Sequence, residues 1–248
     1  MKIDVIGGTG MIGSKVVEHL RGQGHEVVAA SPGSGVNTLT GEGLTEALDG
    51  AAVVVDVSNS RSFDPEVALD FFETSTGNLR TAETAAGVRH HVALSVVGAD
   101  RMLDSGYMRA KVAQERMIAE SDVPYSVVRA TQFFEFLDAM ADAATDGDTV
   151  RLAPVAFRPI AGDDVARAVA EVAAGAPVNG VVEVGGPDQA RFDELIRSTL
   201  AAGDDPREVV ADPAARYYGA VLAENSLVPG PGARIADTRL ADWRAAHS

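Results

Sequence analysis

The sequence predicts an α/β protein built as a doubly wound parallel sheet. Three observations predict it: valine-rich segments of strand length that are apolar almost without interruption, helical stretches that alternate with them, and a glycine-punctuated turn between the first strand and the first helix. Strands covered on both faces lose the alternation of a half-exposed sheet, so continuous apolarity points to parallel pairing under helices. Strand, helix, strand repeated along a chain is the pattern of that architecture.

Lys2 to Gly7 reads as the first strand, and Met11 to Leu20 as a helix stopped at Arg21-Gly22. HEVVAA (25–30), AAVVVDV (51–57), HHVALSVV (90–97) and YSVVRAT (125–131) read as further strands. The Gly- and Ser-rich stretch 31–50 has room for only a short helix, roughly Leu44 to Leu48. Longer helices are predicted over Glu66 to Ala86, Gly106 to Ser121 and Phe133 to about Ala144. Beyond these come a short strand at Thr149 to Leu152, a helix opened by Asp163-Asp164 and running to about Ala174, the strand VVEVGG at 181–186, and a helix from Phe192 to Ala202. The strand at 181–186 is expected to return to the main sheet as its sixth. The chain is therefore read as one domain over 1–248, with a core over about 1–131 and a small C-terminal lobe over 132–248.

Composition narrows the function. A formal net charge of −15 and a pI near 4.6 disfavour nucleic acid and anionic membrane, because both bind through Lys and Arg. The absence of cysteine excludes disulfides, thiolate catalysis and thiolate metal sites, and suits a reducing compartment. No apolar run approaches the length of a membrane span, and a first strand entered at Lys2 leaves no room for a leader, so the expectation is a cytoplasmic protein.

Gly7, Gly10 and Gly13 stand three apart in VIGGTGMIGSKV, 5–16. In a dinucleotide-binding Rossmann turn the first glycine allows the tight turn, the second lets backbone approach the pyrophosphate, and the third lets helix and strand pack closely. The amides of Met11 and Ile12, with Thr9 beside them, would meet phosphate at a helix N-terminus, where the dipole favours an anion. An acid after the second strand would hold an NAD ribose, yet Ala30-Ser31-Pro32-Gly33-Ser34-Gly35 carries none before Glu42. Ser31 and Ser34 with glycine amides form a small anion nest on this reading, so NADP is expected over NAD, with NAD the alternative. Ser58 and Asn59, in the loop after AAVVVDV, and Thr131 are the remaining cofactor contacts expected at the carboxyl ends of strands.

Ser95, Tyr107 and Lys111 are the candidate catalytic residues. Tyr107 and Lys111 are four apart on a predicted helix and share a face. Ser95 closes a strand aimed at the same crevice, where it would hold the substrate oxygen. A neighbouring ammonium would lower the Tyr107 phenol toward the working range for proton transfer, and Lys111 would also hold the nicotinamide ribose. Gln132, Phe133 and Phe136 follow the fifth strand and are the expected substrate contacts, and 215–222 with 228–234 form an edge of the pocket. No metal is expected: His90 and His91 point opposite ways in a strand, one inward and one outward, and Asp163-Asp164 reads as a helix cap and dipole partner.

GGTGMIG, the Ser95, Tyr107, Lys111 set, VRATQFFEF (128–136), and RPIAGDDVARAVAEVA followed by VVEVGGPD resemble an atypical, NmrA-like short-chain dehydrogenase/reductase up to about Asp188. The resemblance implies an NAD(P)-binding protein, and either a reductase of small carbonyl or quinone substrates or a dinucleotide-binding protein without turnover. Two departures stand out. The basic residue that many NADP-binding relatives carry after the second strand is missing, and the Asn of the proton relay is not clearly placed, since Asn78 falls in a different register. Tyr107, which sensing relatives often lack, favours catalysis. The expectation is an oxidoreductase acting on a small carbonyl, quinone or alcohol, monomeric or homodimeric. A sensing protein and a non-redox isomerase or dehydratase are the alternatives.

Overall fold

The computed structural model describes residues 1–247. Strands β1 (Lys2–Ile6), β2 (Glu26–Ala30), β3 (Val53–Asp56), β4 (His90–Val96) and β5 (Tyr125–Ala130) alternate with helices α1 (Met11–Gly22), α2 (Leu44–Leu48), α3 (Pro65–Ala86) and α4 (Gly106–Ala119). Past β5 the chain forms α5 (Leu137–Ala143), β6 (Thr145–Asp146), β7 (Thr149–Leu152), β8 (Ala156–Phe157) and α6 (Gly162–Ala174). It continues through β9 (Gly180–Gly185), β10 (Ala190–Arg191), α7 (Phe192–Ala202), β11 (Glu208–Ala211), β12 (Arg216–Tyr217), β13 (Ala220–Val221), β14 (Arg234–Ile235) and α8 (Leu240–Ala246).

The main sheet has seven strands in the order β14-β9-β5-β4-β3-β1-β2, and every pairing in it is parallel. It is a doubly wound, Rossmann-like sheet. From β1 the chain moves out to β2, then crosses back to β3 on the other side of β1. The topological switch therefore falls between β1 and β3, and ligands of such sheets bind outside the carboxyl ends of the strands there. On one face Ile3 and Val5 pack with Val16 and Leu20 of α1 and Val165 and Val169 of α6. On the other, Ile6 and Val54 pack with Leu48 of α2 and Leu79 of α3. Each such aliphatic side chain, withdrawn from water, contributes about 1.5–3 kcal/mol to the fold.

The helix expected from Phe133 begins later. Phe134–Phe136 is a single 3₁₀ turn and α5 starts at Leu137. The cause is tertiary: the Phe134 amide donates to the Ile160 carbonyl at 2.9 Å and the Ile160 amide to the Gln132 carbonyl at 2.9 Å, which holds this stretch extended. The histidines also differ from expectation, because both faces of the sheet are covered and both rings are buried. His90 Nε2 lies 2.9 Å from Ser126 Oγ, and His91 Nδ1 lies 2.6 Å from Glu83 Oε1. Burial pushes His90 down to about 4. Burial works against the charge on His91 too, but the Glu83 carboxylate outweighs it and raises the pKa.

Residues after Thr131 also build three small sheets, β11-β7-β6, β10-β8 and β12-β13. With α5 and α7 they enclose a separate apolar cluster around Phe157, Phe192, Ile196 and Leu227. Asp163 and Asp164 lie in the first turn of α6, but neither caps it: the N-cap is Ala161, and Glu135 from the preceding segment accepts from the Gly162 amide at 3.0 Å.

Candidate active site

The turn after β1 is shaped so that only glycine fits it. Gly7 has φ of +79°, a left-handed conformation that L side chains rarely adopt. A Cβ on Gly7 would also stand 3.0 Å from the Ser58 amide nitrogen, so the turn after β1 and the loop after β3 touch. A Cβ on Gly13 would overlap the Gly7 carbonyl oxygen, which is how α1 comes to sit directly on the turn. Gly10 differs. It is the N-cap of α1, no side chain caps that helix, and a Cβ there would meet only the Gly7 oxygen, at 3.2 Å. The space over Gly10 is open, with the exposed Thr9 and Met11 at its rim and the buried Ile12 on the first turn below. That is a cradle for a phosphate, and uncapped amides at a helix N-terminus supply its donors. Gly8 escaped the sequence reading; its Cβ would stand 2.8 Å from Ala29 Cα, and the Gly7-Gly8 doublet was the available signal.

At the second strand, Ser31 is buried and opens a short 3₁₀ turn, Pro32–Ser34. The Ser34 hydroxyl accepts from the Ser31 amide at 2.9 Å and lies 3.0 Å from the Ser31 carbonyl and 3.2 Å from that of Ala29. It is committed to closing its own turn. Asn78 has a local duty as well: its amide donates to the Thr38 and Leu39 carbonyls at 2.8 and 3.2 Å and pins the loop before α2 to α3.

The catalytic candidates converge on α4 but divide among three partners. The Tyr107 hydroxyl donates to Asn59 Oδ1 at 3.0 Å, joining two residues from different loops. The Ser95 hydroxyl donates to Glu115 Oε1 at 2.5 Å, and Glu115 is held by Arg129, which also reaches Asp100 at 2.8 Å. Lys111 Nζ donates to the Leu94 carbonyl at 2.9 Å and to Gln114 Oε1, and lies 4.3 Å from the centre of the Phe72 ring. No hydrogen bond joins Ser95, Tyr107 and Lys111 to one another. The expected lowering of the phenol is reversed: burial pushes Tyr107 up to about 12, opposed by the hydrogen bond to Asn59. The Lys111 ammonium points to Gln114 and Leu94, and its own burial brings it down to about 8.

Aromatic rings surround Tyr107. Phe63 meets it edge-on at 5.1 Å and stacks on Tyr218 at 4.9 Å, while Phe72 meets it edge-on at 6.1 Å. Tyr218, with φ of +46°, turns the β12-β13 hairpin and packs against Tyr217 at 4.7 Å. Of the phenylalanines after β5, Phe134 packs in the second core against Trp243, and Phe133 stacks on the exposed Phe136 at 5.6 Å. At the carboxyl end of β5, Thr131 Oγ1 is buried without a hydrogen-bond partner, and the buried Gln132 amide has none besides its interaction with the Tyr217 hydroxyl. Buried orphans of this kind call for a ligand or water. Among the described residues, no group of three or more His, Asp or Glu is arranged to hold a metal ion.

A glycine cradle at the switch point, a helix N-terminus with no side-chain cap, and orphaned polar groups at the end of β5 together fit a dinucleotide. The chain belongs to the NAD(P)H-binding family, whose model matches residues 35–175 and so begins beyond the glycine turn. The chain is similar to a divinyl chlorophyllide a 8-vinyl-reductase of Cucumis sativus, 28% identical over 222 residues, covering 75% of this chain and 53% of that protein. It is also similar to the photosystem II assembly factor Ycf39 of Synechocystis, 26% identical over 151 residues, covering 55% and 46%. The chain spans about half the length of these curated relatives. Among solved structures, a short-chain dehydrogenase/reductase superfamily protein of Agrobacterium tumefaciens with bound NAD gives a TM-score of 0.73 at 19% identity, covering 99% of this chain and 95% of that one. The NADPH-dependent quinone oxidoreductase QOR2 of Escherichia coli gives 0.66 at 20% identity, covering 99% of both chains. Both share the fold.

Proposed function

We propose that the protein is an NAD(P)H-dependent oxidoreductase that reduces a small, flat carbonyl or quinone, with Tyr107 as the proton donor. The observation that carries this reading is the Tyr107 hydroxyl held by Asn59 under the Phe63 and Tyr218 rings, beside the loop that touches the glycine turn. The bound dinucleotide supplies the hydride. Gly10 with the Met11 and Ile12 amides would hold its phosphates, Gly7 and Gly13 letting the turn and α1 close beneath them, and Ser58, Asn59 and Thr131 would line its path toward Gln132. A phenol near 12 stays protonated throughout the neutral range, so Tyr107 serves as an acid. An alkoxide forming on the substrate is a stronger base than a phenolate and draws that proton. Gln132, whose buried amide also faces the Tyr217 hydroxyl, orients the substrate oxygen.

Rings, more than charges, make up the wall. Arg101, Arg109 and Arg216 each bind backbone carbonyls at 2.9, 2.7 and 2.8 Å, which leaves the apolar faces of Phe63 and Tyr218 to meet substrate. NADPH is proposed over NADH, because no acid follows β2 to repel a 2′-phosphate; with Ser34 occupied, Ser31 and the backbone amides carry that preference. A cytoplasmic location is part of this proposal, since a chain without cysteine suits a reducing compartment; no described helix is long and apolar enough to cross a membrane. The test is consumption of NADPH with a panel of aromatic carbonyls and quinones.

One observation favours a second reading, a dinucleotide-sensing protein without turnover. The Ser95 hydroxyl is spent on Glu115 and the Lys111 ammonium is turned toward Gln114, so the three catalytic candidates are not assembled into one hydrogen-bonded set. Tight NADPH binding with no turnover on any member of the panel would replace the first reading with this one.

A further inference from the structure

A run of buried polar groups lies under the site and joins its two halves. Asp56, at the end of β3, is 1% exposed, and its two carboxylate oxygens serve different partners. Oδ1 accepts from the Ser58 amide at 2.9 Å and from the Ser58 hydroxyl at 2.6 Å. Oδ2 accepts from Gln114 Nε2 at 3.0 Å. The Gln114 carbonyl in turn accepts from Lys111 Nζ, and both residues are buried. Gln114 can stand between the two because a carboxamide both accepts and donates, with its oxygen toward Lys111 and its nitrogen toward Asp56.

We propose that Asp56 and Gln114 are positioning residues that lock the Ser58 loop, which contacts the dinucleotide, and the Lys111 ammonium into one hydrogen-bonded chain. The proposal rests on the dinucleotide-dependent reading above and adds two residues that touch neither substrate nor cofactor. The charges around Lys111 single out Asp56 as its counter-ion. From its own helix Glu115 is the other carboxylate that favours the ammonium, but Glu115 is bonded to Arg129 of β5 at 2.6 and 3.0 Å. Helix α3 presents the uncharged Phe72 ring, β4 presents the Leu94 carbonyl, and the Glu83–His91 pair is self-contained, with His91 also in the field of Asp56. A buried ammonium persists only where a carboxylate and hydrogen bonds compensate for lost water.

The chain predicts two variants with different signatures. Gln114→Met keeps length and burial but cuts the link between Asp56 and Lys111, leaving Ser58 held. Asp56→Asn weakens both links. The sequence has three lysines, Lys2, Lys15 and Lys111, so NMR titration of ¹³C-labelled lysine side chains reads Lys111 directly in the cofactor-free protein, with Lys111→Arg giving the assignment. Both variants should lower the Lys111 pKa by about one unit. NADPH affinity by fluorescence titration should fall by roughly tenfold in Asp56→Asn and stay within about twofold of wild type in Gln114→Met. An unchanged Lys111 titration, or an equal loss of affinity in both variants, overturns the proposal; should Asp56→Asn fail to fold, the Lys111 titration in Gln114→Met decides alone. Neither readout requires turnover, so failure here is distinct from failure of the proposed reductase activity.

Discussion

The glycine turn after β1 and the ring cluster around Tyr107 solve opposite problems. The first needs side chains absent: its function lies in backbone amides, and four residues of one short segment, Gly7, Gly8, Gly10 and Gly13, keep the space clear. The second needs side chains present, and it draws them from four distant places: Asn59 and Phe63, Phe72, Tyr107, and Tyr218. A binding site made of backbone is local in sequence. A reactive site made of side chains is assembled by packing, and its chemistry depends on neighbours that no local pattern reveals.

The sharpest way to break the comparison is to put side chains into the turn. Gly10→Val and Gly13→Ala should both abolish measurable NADPH binding in a fluorescence titration, for different reasons. The Gly10 side chain would press on the Gly7 oxygen at 3.2 Å but meet nothing else, so thermal stability should fall little; the Gly13 methyl would be driven into the Gly7 carbonyl, so the melting temperature should fall much further. Retained binding in Gly10→Val would show that the turn is only a structural joint.

Next in size is Tyr107→Phe, which removes a hydroxyl and keeps the ring between Phe63 and Phe72. Steady-state turnover on carbonyl substrates should drop by roughly a hundred- to ten-thousand-fold, while cofactor affinity and stability barely move. Near-normal rates on every carbonyl substrate would remove Tyr107 as the acid. A quinone can bypass it, so carbonyl substrates must be included.

A smaller effect concerns the strand that feeds the glycine turn. The buried groups beneath Tyr107, Asp56, Gln114 and Lys111, are all paired, whereas Asp4 of β1 is fully buried with both carboxylate oxygens lacking hydrogen-bond partners. Burial raises its pKa to about 6, against a weaker opposing pull from the Lys2 ammonium at 3.9 Å. A raised carboxyl pKa means that the folded state holds the proton more tightly than the unfolded chain. The stabilising contribution is complete below the unfolded pKa of 3.8 and is lost as pH rises through about 6. Asp4→Val should therefore stabilise the protein by about 2 kcal/mol at neutral pH and by much less in acid. Urea unfolding of both proteins across that range checks this; a gap that does not widen with pH would contradict it.

The smallest expected change is in cofactor choice. Ser31→Asp places a carboxylate where a 2′-phosphate would lie, and should move the ratio of NADPH to NADH affinity by about tenfold toward NADH. Wild-type protein that already prefers NADH in the same titration would sink the argument from the missing acid.

The sequence by itself determined the parallel sheet, the glycine turn and the dinucleotide family, because strand apolarity, helix period and glycine spacing are local consequences of backbone geometry. It also named Tyr107 and Asn59, which the structure joins by a hydrogen bond. Only the tertiary structure decided the rest. It set the partners of Ser95 and Lys111, since Glu115 and Gln114 become neighbours of those groups through the packing of α4 on β3, β4 and β5. It shortened the helix after Phe133, because Ile160 supplies hydrogen bonds stronger than any local helical preference. It brought Phe63 and Tyr218 to Tyr107, more than 40 and 100 residues away along the chain respectively. And it raised the Tyr107 phenol where spacing alone suggested lowering, because burial acts through every atom that displaces water, and that count exists only once the chain has folded.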